Sequence, residues 1–219
     1  IVGDKESKDN LRKTSEKKFN FLSKLTKLPK HDIISNIKIP YSINPYVAYL
    51  LRKTGNIQKK INYKYYESVS KKNIIDFKKK NIILLLQYQP EKSTCPLGGE
   101  FCDQLKLIKF IQQNMGEEYN LLVKEHPSQF SPSYSRSYEK SRSKAFYKEI
   151  NASEKTFLIP LFFDIFSLPK DTIYISVTGT VILESSLRGF PSICLGYRWF
   201  SNMPYIQDVK NYKELKKLF

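Results

Sequence analysis

The sequence is poor in the residues that usually carry obvious chemistry: three Cys, two His and one Trp in 219 residues. Cys95, Cys102 and Cys194 are odd in number and widely spaced. They make neither a paired zinc-type motif nor a disulfide framework, and they point to a reducing compartment. No apolar run approaches the ~18 residues that a bilayer span requires. The first residues are polar and Lys-rich, without the apolar stretch of a secretory signal. The chain opens on Ile1 rather than Met, as expected of a fragment or a trimmed chain. It has no P-loop, no G-x-G-x-x-G and no G-x-S-x-G elbow, so ATPase, dehydrogenase and serine hydrolase readings find no support. No Cys/His ligand spacing calls for a metal, and no cofactor is expected. No internal repeat is present.

What is there is a globular composition with a lopsided charge. Hydrophobic residues make up 41% and charged residues 26%, close to globular averages, which excludes wholesale disorder. The length allows one domain with a sizeable appendage, or two small domains. Net charge is +16. Residues 1–80 hold 20 Lys/Arg against 7 Asp/Glu, whereas residues 81–219 hold 17 against 14. The first third therefore suits an anionic surface, the inner membrane face included, although scattered lysines also make an ordinary solvated linker.

Residues 1–80 read as a basic, mainly helical linker or the remnant of a preceding domain. A helix carries Phe19, Leu22, Leu25 and Leu28 and ends at Pro29. An extended connection spans 31–45, a short helix over 46–54 is closed by Gly55, and residues 57–80 read as mostly helical. From Asn81 the pattern changes. Ile82 to Leu86 is a continuous apolar run, the mark of a strand buried on both faces of a parallel sheet. A helix follows from about Glu100 to Met115, with Phe101, Leu105, Ile108 and Ile111 on one stripe. Strands are expected at Leu121–Val123, Phe157–Pro160, Ile173–Val177 and Pro191–Leu195. Between them fall a helix over Ser143–Ile150, a short turn or helix over Phe162–Leu168, and a helix from Thr178–Thr180 to about Gly189. Alternation of this kind predicts an α/β fold, a doubly wound parallel sheet of Rossmann-like type, over residues 81–219.

Ligands of such sheets bind outside the carboxyl ends of the strands. Four segments land there: Gln87–Gly99, Lys124–Gln129, Thr178–Thr180 and Gly196–Phe200. Thr178-Gly179-Thr180 opens a helix with hydroxyls and free N–H groups, suited to a phosphate or simply to a threonine cap. His126, fixed by Pro127 directly after a strand, is placed to donate to a phosphate oxygen or to move a proton, with Lys124 adding charge; alternatively it is a loop histidine bonded to backbone. Glu184 lies one helical turn beyond Thr180 and either accepts from ribose hydroxyls or pairs with Arg188. Gln89 and Glu91 suit sugar hydroxyls, and Glu91 also suits a catalytic base. Arg136 and Arg142 flank a Ser/Tyr-rich loop and either grip an anionic acceptor or lie solvated.

The stretches YQPEKSTCPLGGEFCDQ (Tyr88–Gln104), VKEHPSQF (Val123–Phe130), RSKAFYKEI (Arg142–Ile150) and SVTGTVILESSLRGFPSICLG (Ser176–Gly196) together resemble the bacterial capsule polysaccharide biosynthesis family, which includes the capsule Kdo transferases. The resemblance covers about Asn81 to Phe200. It implies the donor-binding half of a GT-B glycosyltransferase that takes a nucleotide-activated sugar, CMP-Kdo-like or NDP-linked, and passes it to a glycan or lipid-linked glycan acceptor. It implies that His126 contacts the donor phosphate, that Thr178, Gly179 and Thr180 complete the cradle, that Glu184 touches the nucleotide, and that Gln89 and Glu91 face the sugar or acceptor. The other GT-B half finds no room before Asn81, and the catalytic base stays unassigned. A cytoplasmic protein, peripheral at the inner membrane face, follows from this reading. Two other readings fit the same residues. One is a GT-B-like nucleotide-sugar epimerase. The other is a non-catalytic module for anionic glycan or other polyanion; nucleic acid is not expected as a partner, because interleaved aromatic-basic motifs are missing.

Overall fold

A computed structural model describes residues 45–70, 79–89, 94–131, 142–200 and 203–219. The chain divides into two compact units, Ile1–Leu50 and Leu51–Phe219. Of the first, only the helical residues 45–50 are described, so the helix and the connection expected over residues 1–44 lie outside the described residues. The sequence reading draws its boundary at Asn81; the compact unit that holds the sheet begins at Leu51.

Helix α1 (Pro45–Ser70) runs unbroken through Gly55, where the sequence suggests a stop. An interior glycine costs a helix only about 1 kcal/mol, which its neighbours outweigh. The α1 residue Tyr66 is fully buried, and its hydroxyl donates to the Ile159 carbonyl at 2.6 Å.

The sheet has six strands, all parallel, in the order β3-β2-β1-β4-β5-β6. They are β1 (Lys80–Leu85), β2 (Tyr119–Lys124), β3 (Thr156–Leu158), β4 (Ile173–Ser176), β5 (Ser192–Cys194) and β6 (Ile206–Asp208). The chain leaves β1 in one direction through β2 and β3, then returns to lay β4, β5 and β6 on the other side of β1. The order therefore reverses between β1 and β4, which opens a crevice at their carboxyl ends. This is the Rossmann-like α/β fold that the strand and helix alternation predicts.

The apolar run of β1 divides by alternation. Ile82 and Leu84 face the core beneath α2 (Gln104–Asn114) and α3 (Lys144–Ile150), while Ile83 and Leu85 face the second core, which holds Ile182 and Phe190. Helix α2 starts where Asp103 accepts the N–H groups of Leu105 and Lys106, both at 3.0 Å. Helix α4 (Val181–Leu187) ends at Gly189, whose φ of +78° lets the Gly189 and Phe190 N–H groups turn back onto the carbonyls of Ser186 and Ser185. Strand β6 and helix α5 (Tyr212–Lys216) carry no strong sequence signal; the latter is capped by Asn211, which accepts from the Glu214 N–H at 2.9 Å.

Candidate functional site

A cleft of about 330 Å³ opens at the carboxyl ends of β1, β2 and β4, at the lower end of ligand-site volumes. Its lining includes Lys124, Glu125, His126, Thr178, Gly179, Thr180 and Arg198. The histidine tip and the Thr-Gly-Thr turn, 52 residues apart in the chain, thus share one wall-to-wall space.

His126 is held at both ends. Its backbone N–H donates to the Glu125 carboxylate at 2.8 Å, and its Nδ1 accepts the N–H of Ser128 at 3.2 Å, capping the short 3₁₀ turn Pro127–Phe130. Proline at the first position of that turn sacrifices no hydrogen bond. With Nδ1 acting as acceptor, the neutral ring carries its proton on Nε2, which leaves a directed donor for a ligand. Lys124 sits half-buried, with Nζ donating to the Phe163 carbonyl at 3.2 Å. Burial lowers its amine below the usual lysine range, partly offset by the charge of Asp164.

Across the cleft, Thr178 is buried and its hydroxyl donates to Gln87 Oε1 at 3.2 Å, while its carbonyl accepts from Arg198 Nε. Gly179 has no room for a side chain. A Cβ there would meet Ser176 Oγ at 2.8 Å and Gln87 Nε2 at 2.9 Å. Thr180 occupies the start of α4 with a helical backbone and makes no side-chain capping bond. The turn lines the cleft, and its Gly179 carbonyl accepts the Ile182 N–H at 3.2 Å.

Beneath the cleft runs a buried polar network that the sequence does not announce. The Gln104 side chain brackets the backbone of Gln87, accepting its N–H at 2.9 Å and donating to its carbonyl at 3.2 Å. Gln129 brackets Gln89 in the same way, at 2.9 and 3.0 Å. Arg142, only 6% exposed, joins the two: Nε to Glu125 at 2.8 Å, Nη1 to Gln89 Oε1 at 2.8 Å, and Nη2 to Gln104 Oε1 at 3.1 Å and the Gln87 carbonyl at 3.3 Å. Glu125 is 1% exposed and also accepts from the Tyr147 hydroxyl at 2.9 Å. Its charge is therefore matched inside the protein, and the cationic groups of the cleft, Lys124 and Arg198, face no unpaired carboxylate from it.

The sequence-derived candidates divide accordingly. The structure brings Lys124, His126, Thr178, Gly179 and Thr180 together. Arg142, expected to grip an anion, spends its guanidinium on the internal network. Gln89, expected to meet a sugar, holds Arg142 and donates from Nε2 to the Cys102 carbonyl at 3.1 Å. Glu184 is exposed on α4 and lies outside the cleft lining. Arg188 stacks its guanidinium 4.3 Å from the centre of the Phe166 ring. Glu91 and Arg136 lie outside the described residues. Two residues of the site carried no individual signal: Arg198, within a segment that topology alone places at the carboxyl edge, and Glu125, whose only clue was its place between a lysine and a histidine after a buried strand. Among the described residues no cluster of His, Cys, Asp and Glu is suited to a metal ion. Nor is any described helix long and apolar enough to cross a membrane.

No protein-family model matches the chain, and no curated protein matches it. Among solved structures, the beta Kdo 2,7 transferase KpsC of Thermosulfurimonas dismutans is similar at 16% identity with a TM-score of 0.45, over 83% of this chain and 51% of that one. The chain thus spans about half the length of that protein.

Proposed function

We propose that the cleft binds the phosphate of a nucleotide-activated sugar, and that the domain is the donor-binding part of a glycosyltransferase acting in surface polysaccharide synthesis. One observation carries this reading: Lys124, His126, Arg198 and the Thr178–Thr180 turn converge on a single cleft at the point where the strand order reverses. Glycosyl transfer leaves negative charge on the departing phosphate. A histidine whose backbone is anchored by Glu125 and whose ring is oriented through Nδ1, an ammonium and a guanidinium supply preorganised compensation for that charge. Ser128 and Glu125 hold the histidine in its tautomer and place, so little reorganisation is needed as charge develops. The motif resemblance favours a CMP-Kdo-like or NDP-linked sugar as donor and a glycan or lipid-linked glycan as acceptor. The basic residues 1–80 suit the anionic membrane face where such acceptors reside.

Calorimetric titration of the full chain with CMP, UDP and GDP tests the reading. At least one binds, and His126→Ala weakens that binding tenfold or more, as expected for loss of a hydrogen bond to a charged group of about 1.5–3 kcal/mol. Unchanged affinity in the variant removes His126 from the phosphate. Failure of all three nucleotides to bind removes the donor-binding reading.

A further inference from the structure

The loop between β1 and α2 carries two thiols, Cys95 and Cys102, seven positions apart. Cys95 is exposed, Cys102 half-buried and Cys194 buried. Two successive tight turns fold the loop back on itself: the Gly98 N–H donates to the Thr94 carbonyl at 2.8 Å and the Phe101 N–H to the Gly98 carbonyl at 2.9 Å. Cys102 Sγ consequently sits 3.1 Å from the Thr94 carbonyl oxygen, which belongs to the peptide bond leading into Cys95. Planar peptide geometry puts that oxygen about 3 Å from the Cys95 Cα, so the Cys102 sulfur lies within about 6 Å of it. The two thiols lie near enough to act on each other electrostatically.

This loop also forms part of the cleft's support. Gly98 presses on Val177, where an added Cβ would come within 2.7 Å of Cγ1. The Leu97 carbonyl accepts the Tyr197 N–H at 3.3 Å. Gly196 is glycine because a Cβ would stand 2.7 Å from Thr178 Cγ2 and 3.0 Å from the Leu97 oxygen. The thiol pair therefore sits on the segment that braces both Thr178 and the turn leading to Arg198.

We propose that Cys95 and Cys102 are a reversible oxidation site, closing to an intramolecular disulfide that locks this brace. The oxidant is a low-molecular-weight disulfide. The Cys95 thiolate attacks one of its sulfurs and expels a small thiolate, giving a mixed disulfide. Cys102 then releases its proton to water and attacks the Cys95 sulfur, which expels the second small thiolate. Two protein thiols are oxidised, and one small disulfide is reduced to two thiols. Exposure assigns the order: Cys95 meets the oxidant, and Cys102, whose thiol is pushed up first by burial and then by its contact with Cys95, resolves it. Only six residues separate the two, so closing the loop costs little chain entropy. A surrounding thiol pool reverses the bond, in keeping with a reducing compartment.

The test is to expose the full chain to glutathione disulfide, alkylate it under denaturing conditions and map the peptides by mass. The expected product carries a Cys95–Cys102 bridge, with two hydrogens lost and Cys194 fully alkylated. Dithiothreitol restores all three thiols, and Cys102→Ser traps glutathione on Cys95. Glutathione retained on Cys95 of the unaltered chain beside an alkylated Cys102, or no reaction at either sulfur, overturns the proposal. Trp199, the sole tryptophan, follows directly on the braced turn and reports on the coupling. Its emission shifts on oxidation, returns with dithiothreitol and stays constant in Cys102→Ser; emission unaffected by the bridge overturns the brace. Neither readout depends on nucleotide binding, so this proposal and the donor-binding reading fail separately.

Discussion

The two walls of the cleft are built by opposite means. On the β1–β2 side, backbone is held by side chains: Gln104 and Gln129 each bracket a neighbouring strand extension, and Arg142 with Glu125 ties them together. On the β4 side, backbone is held by close approach. Gly98, Gly179 and Gly196 let three segments touch where any side chain would clash. The first wall relies on bracketing amides and a buried ion pair, and the second combines close approach with the bonds that Ser176 and Thr178 make to Gln87. A polar residue at the carboxyl edge of this sheet is therefore more informative when the scaffold has no use for it. By that measure Thr180, which makes no side-chain capping bond, stands out; Lys124, His126 and Arg198 line the cleft while also bonding the scaffold, and Arg142 and Gln89 are committed to it.

The comparison is broken most severely at Arg142. Replacing it with Met leaves the Glu125 carboxylate buried without its cation and strips partners from three glutamines. Uncompensated buried charges of this kind cost about 3–5 kcal/mol. Urea unfolding of Arg142→Met against the unaltered chain measures the loss, and a change of under 1 kcal/mol contradicts the buried-network account. On the opposite wall, Gly179→Ala forces its methyl into Ser176 and Gln87. Overpacking predicts a loss of about 1–3 kcal/mol, smaller than at Arg142 because the hydroxyl and amide have some room to shift. A neutral Gly179→Ala would show that the turn is glycine for some reason other than space. Glu184→Ala, on the exposed face of α4, stays within about 0.5 kcal/mol in the same assay.

How far these features can be read from sequence follows from the range of the interactions that make them. The buried run at Ile82–Leu86 needed no partner to be recognised, because burial on both faces imprints directly on residue type; the strand observed is Lys80–Leu85. Strand β6 escaped notice because it is three residues long and two of them are exposed, which leaves no apolar imprint. The convergence of His126 with Thr178–Thr180 was legible because sheet topology alone delivers every strand's carboxyl end to one edge. Partner choice among polar groups was not. Arg142 reaches Gln89 across 53 positions and Gln104 across 38, and no spacing rule singles out those pairs from any other arginine and amide. The near approach of Cys95 and Cys102 depended likewise on two turns whose closure no pattern announces.

A pH-dependent effect lies at Lys124, the cleft cation that strand β2 carries into partial burial. Because burial lowers its amine in the folded state, the unfolded chain binds the proton more tightly. Between the lowered folded value and the ordinary value of 10.5, the unfolded state therefore holds more protons, and stability rises with pH across that window. Below the window the cost of burying the charge is fully present. Lys124→Met carries no such cost at any pH. The stability of the unaltered chain relative to Lys124→Met should thus improve as pH climbs from neutrality towards 10.5. Other lysines titrate equally in both proteins, so their contributions cancel in the difference. Paired urea unfolding curves at neutral pH and near the upper end of the window decide the matter. A difference that stays flat, or that moves in favour of the methionine variant as pH rises, would mean that the ammonium is as well solvated in the cleft as in the unfolded chain. Lys124 would then belong with the scaffold's surface and not with the groups held ready for a phosphate.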